Sequence, residues 1–73
     1  MKTEKLLEDV LDTLVERLCL VTMKGLYSNI YKETLLESLG FRSYQAYTCG
    51  LENTEIYRRY QEMIYLIKKM DEK

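Results

Sequence analysis

Histidine is absent from the 73 residues. That omission removes the side chain most used to move protons near neutral pH, the usual partner of a nucleophilic serine or cysteine, and the commonest metal ligand. Cys19 and Cys49 stand far apart with no second pair beside them, which falls short of a structural zinc set. In a reducing compartment they read as small apolar residues of the interior. Gly25, Gly40 and Gly50 are isolated and match neither phosphate-cradling spacing. Glu4, Glu8, Asp12 and Glu16 recur at four-residue steps, so a helix would present their oxygens in one row to a hard cation. Such a row is ordinarily a solvated face, offset by basic groups such as Arg58, Arg59, Lys68 and Lys69 or by a basic partner. The expectation is a protein with no metal, no cofactor and no catalytic role, which acts by binding another macromolecule.

Tyrosine is the residue type best suited to that task, because it joins a large apolar ring to a polar tip. Six of the seven tyrosines fall in near pairs, Tyr27 with Tyr31, Tyr44 with Tyr47 and Tyr57 with Tyr60. About half are expected to border the core. Tyr57, Arg58, Tyr65 and Lys69 are assigned to an exposed protein-binding patch on the last helix.

The elements that position these residues follow from apolar spacing and from a few break signals. Every apolar repeat steps by three or four, and proline is absent. Leu7, Leu11, Leu14, Leu18 and Val21 form one seam of a helix predicted over 3–24, with Gly25 just past its end. A second helix is expected from Ser28 as N-cap to Leu39, with Ile30, Tyr31, Leu35 and Leu39 inward and Gly40 as its stop. A third, short helix runs from Ser43 as N-cap to Cys49 and stops at Gly50. The last helix, over 54–71, opens at Asn53 or Thr54 and carries Glu55 in its first turn and Lys68 and Lys69 near its end, which suits the helix dipole. Its seam is Ile56, Tyr60, Met63, Ile67 and Met70. The predicted fold is therefore all-α. It is a single domain over 1–73, a small bundle of three to four helices in which the two long helices pack along matching seams with two shorter ones between.

The stretch Leu35-Leu36-Glu37-Ser38-Leu39-Gly40-Phe41-Arg42-Ser43-Tyr44-Gln45-Ala46-Tyr47-Thr48-Cys49 resembles the helix-turn-helix of bacterial DNA-binding proteins over about 20 residues. The resemblance makes Gly40 the turn glycine and gives Ala46 and Cys49 the inward side of a recognition helix. Arg42, Tyr44, Gln45, Tyr47 and Thr48 would then reach the DNA, with arginine and glutamine reading guanine and adenine edges.

Charge sets the order of the two readings. Eleven basic residues meet twelve acidic ones, a net charge of −1, whereas holding a duplex depends on neutralising phosphate. Residues 1–23 carry the acidic excess and residues 24–73 a slight basic one. The N-terminus lacks a signal-peptide block and no segment is apolar for the length of a bilayer, so a cytoplasmic location without membrane contact is expected. The leading expectation is a small helical interaction protein of the adaptor, inhibitor or regulator kind. The alternative is a DNA-binding regulator that uses residues 41–48. A chain this short buries barely enough apolar surface to offset the entropy of ordering it, so a homodimer is also expected.

Overall fold

The computed structural model describes residues 2–70, which form three α-helices: α1 (Lys2–Met23), α2 (Asn29–Thr48) and α3 (Glu55–Lys69). No strand occurs among the described residues. The expected extension of the last helix to residue 71 lies outside them.

Two glycines end helices by the same device. Gly25 (φ 71°) and Gly50 (φ 80°) take the left-handed conformation that a Cβ disfavours. At the first, the Leu26 N–H donates to the Val21 carbonyl (2.9 Å) and the Gly25 N–H to Thr22 (3.1 Å). At the second, Leu51 donates to Ala46 (2.9 Å) and Gly50 to Tyr47 (3.1 Å). These paired bonds satisfy carbonyls that the helix end would leave orphaned. The following helices are capped as expected. Ser28 Oγ accepts from the Tyr31 N–H at 3.2 Å, and Thr54 Oγ1 accepts from the Tyr57 N–H at 3.4 Å while donating to the Leu51 carbonyl at 2.6 Å.

Gly40 does not behave this way, and the expected pair of short helices is one continuous 20-residue helix. Leu35, Leu39, Ser43 and Ala46 are all buried, and their spacing of four, four and three keeps them on one face only if the helix runs unbroken through residue 40. Burial of such side chains, at roughly 1.5–3 kcal/mol for a leucine, outweighs the cost of about 1 kcal/mol for a mid-helix glycine. Ser43 is therefore no N-cap: it sits within the helix, where its Oγ accepts a hydrogen bond from Gln61 Nε2 of α3.

The core comprises Leu7 and Leu11 of α1, Leu35, Leu39 and Ala46 of α2, Leu51 of the second connection, and Ile56, Tyr60 and Ile67 of α3. Leu14, Val15, Leu18, Tyr31 and Met63 pack partly buried around it. Tyr60 is fully buried, and its hydroxyl donates to the Leu7 carbonyl at 2.6 Å, so its one polar atom is satisfied. The expectation that the first and last helices pair along matching seams needs correction. α3 packs along α2 more extensively than α1 packs on either, because the short connection 49–54 folds α3 straight back onto its neighbour. Two residues assigned to inward seams also face solvent, Ile30 at 78% exposure and Met70 at 51%.

Candidate protein-binding faces

α3 separates most of its residues by side, though Tyr65 and Leu66 are exposed. Ile56, Tyr60 and Ile67 are buried on one side, while Arg58, Tyr65 and Lys69 are exposed on the opposite side at steps of seven and four. Three members of the predicted patch thus share a face, and the fourth does not. Tyr57 is half-buried and packs against the core, because it lies one residue from Ile56 on the flank that meets α2. The exposed members are largely satisfied within the helix: Lys69 Nζ donates to the Tyr65 hydroxyl at 3.1 Å and lies 5.3 Å from the ring centroid.

α2 shows no such separation. Opposite its buried face run Ile30, Thr34, Glu37, Phe41, Tyr44 and Thr48, alternating by four and three, and all six are exposed. Phe41 (65%), Tyr44 (67%) and, on the flank, Tyr47 (53%) gather three aromatic rings at the C-terminal half of this face. Gly40 lies between them on the same flank; a Cβ built there would meet nothing within 4 Å. The row is a single stripe only because α2 runs unbroken through Gly40; a turn there would divide it.

The residues assigned to DNA reading are not brought together. Without a turn at Gly40 there is no separate recognition helix to enter a groove. Arg42 and Gln45 are half-buried on the inward side and bind each other, Arg42 Nη1 donating to Gln45 Oε1 at 3.1 Å, while Tyr44, Tyr47 and Thr48 point outward. Thr48 Oγ1 donates to the Gln45 carbonyl of its own helix at 3.0 Å.

The acidic row of α1 meets one of the expected counter-charges. Arg59 Nη2 donates to Asp12 Oδ1 at 2.9 Å. Lys5 lies 3.6 Å from Glu8 and 3.4 Å from Asp9, and the two carboxylates raise its pKa, that of Asp9 foremost. No group of three or more His, Cys, Asp or Glu gathers to hold a metal among the described residues. Both cysteines are exposed, contrary to the expectation of burial. Cys19 stands one residue beyond the Leu18 seam position, on the solvent side of α1, and Cys49 caps α2 outside the core.

The buried Tyr60 hydroxyl is strongly perturbed. Burial pushes its pKa up to about 12; the nearby Arg42 and Arg59 guanidinium groups pull the other way. A group so sealed holds structure and has no access to a substrate. No helix among the described residues is long and apolar enough to cross a membrane. Neither a protein-family model, nor a curated protein, nor a solved structure matches this chain.

Proposed function

We propose that this chain is a helical protein-protein interaction module, of the adaptor or inhibitor kind, that presents the outward face of α2 to its partner. One observation carries the reading. Among the described residues, α2 sets Ile30, Phe41, Tyr44 and Tyr47 in water at 78%, 65%, 67% and 53% exposure, the last three within two turns of one another on one side of the helix. Scattered exposed leucines are ordinary, but Phe41, Tyr44 and Tyr47 are aromatic, adjacent and borne by a rigid helix, which are the properties of binding anchors. The face of Arg58, Tyr65 and Lys69 is better suited to the rim of such a contact, where polar groups stay hydrated.

Site-specific photo-crosslinking in the native host tests this. A photoreactive residue at position 44 should give discrete protein adducts that Phe41→Ala weakens at least tenfold, consistent with a loss of more than 1.4 kcal/mol. The same residue at position 13, exposed on α1, should give none. Adducts that form equally from both positions, or from neither, would remove the reading.

A further inference from the structure

Resting on the interaction reading above, we infer that the occupant of the outward face of α2 is a second copy of this chain, laid antiparallel with the two-fold axis between Gly40 and Phe41. The starting point is that Gly40 serves nothing within its own fold. Its backbone is helical without a positive φ, so no turn requires glycine, and no atom of the chain approaches the place a Cβ would occupy. A glycine inside a helix without either reason leaves open space on the helix surface that a side chain of another molecule can enter.

The two-fold arrangement fills it. With the axis between residues 40 and 41, each residue lies level with the one whose number completes 81. Phe41 of each copy then sits over the second copy's Gly40, a 65%-exposed ring entering a position without a side chain. Glu37 comes level with the second copy's Tyr44, where a carboxylate accepts from a phenol hydroxyl. The two Glu37 carboxylates stay apart by about 10 Å along the axis, seven residues of helical rise, so like charges do not meet. The four-three alternation of the stripe is the spacing that two helices need to cross at a shallow angle.

The area is adequate. An aromatic side chain buries roughly 150–250 Å², so the exposed fractions of Phe41, Tyr44 and Tyr47 supply about 300–450 Å² per copy. The pair contributes about 600–900 Å². Thr34, Glu37 and Thr48 on the same face carry the contact past the roughly 1,000 Å² that a biological interface requires.

Sedimentation of the purified protein from about 1 to about 300 μM should show its mass rising from monomer to dimer. Gly40→Leu should raise the dissociation constant at least tenfold. In dilute solution it should hold or raise the melting temperature, because the added side chain has open space and favours helix. Register is read separately in a Cys19→Ser/Cys49→Ser background: Glu37→Cys mixed with Tyr44→Cys should form a mixed disulfide several-fold faster than either does with Thr13→Cys. A wild-type chain that stays monomeric, a dimer that Gly40→Leu leaves intact, or a crosslink no faster than the control would each overturn the inference. If the chain is monomeric yet still yields position-44 adducts with a different protein in the host, the second copy is wrong and the interaction reading stands. If the adducts also fail, both fall.

Discussion

α2 and α3 lie side by side and share most of the core, yet they differ in how far they sort their residues by side. α3 places Ile56, Tyr60 and Ile67 inward and Arg58, Glu62 and Lys69 outward, with Tyr65 and Leu66 as the large apolar side chains it exposes. α2 buries Leu35, Leu39 and Ala46 and then sets Ile30, Phe41 and Tyr44 in water on its other side. The difference separates residues that hold this fold from residues that the fold does not use. Amphipathicity in a three-helix bundle satisfies the chain alone; a helix apolar on two sides implies a second surface to meet.

The largest test of that contrast sets two tyrosines against each other. Tyr60→Ala should cost about 3–5 kcal/mol of unfolding free energy, since it empties a buried site and removes the hydroxyl that ties α3 to the Leu7 carbonyl. Tyr44→Ala should cost within about 0.5 kcal/mol in dilute solution, where nothing covers it. Urea denaturation of both variants reads the difference directly, and equal losses would erase the distinction between the faces.

Alkaline pH attacks the same buried group without mutation. Below pH 10 Tyr60 is neutral in both folded and unfolded states. Between pH 10 and about 12 the unfolded chain releases the proton first, so it binds fewer protons and stability falls as pH rises. The loss by pH 12 should be on the order of 2–3 kcal/mol. Ultraviolet titration should show one tyrosine ionising late, together with loss of helix; uniform ionisation near pH 10 with helix intact would contradict the burial.

A smaller effect compares the glycines. Gly25→Ala and Gly50→Ala force a Cβ into the left-handed region and should each cost about 1–2 kcal/mol. Gly40→Ala should instead stabilise the dilute monomer by up to about 1 kcal/mol. Thermal melts of the three variants should therefore move in opposite directions. The smallest effect belongs to the Arg59–Asp12 pair, whose side chains are 40% and 57% exposed. Its loss in Arg59→Ala should cost about 0.2–1 kcal/mol and should fade in 1 M salt, where charges are screened beyond about 3 Å.

These contrasts also explain what the sequence discloses. Caps and stops with a local cause were legible: Ser28, Thr54, Gly25 and Gly50 act through bonds to residues within five positions. Gly40 misleads because a glycine inside a helix and one just past its end look the same in sequence, and the sign of φ decides between them. Ser43 misleads similarly, since its partner Gln61 lies on another helix. Misplacing that boundary split the Ile30–Thr48 stripe and recruited its aromatic residues into a recognition helix. On α3 Arg58, Tyr65 and Lys69 share an exposed face, as helical spacing predicts, whereas Tyr57 packs against the core because its flank depends on which neighbour α3 packs against.

The hydrogen bond from Tyr60 to the Leu7 carbonyl joins positions 53 residues apart, so it can form only once the chain through α3 exists. Short connections, residues 24–28 and 49–54, flank α2 on both sides, but α2 and α3 share the most extensive contact, and the site that α1 fills is built from both. During synthesis α1 should therefore dock after the other two, waiting roughly 2–9 s at 5–20 residues per second for the end of α3 to follow. Throughout that interval its leucine seam is open to chaperones. In the finished protein the same order should persist as a gradient of hydrogen exchange, with α1 amides opening at lower free energy than those of α2 and α3.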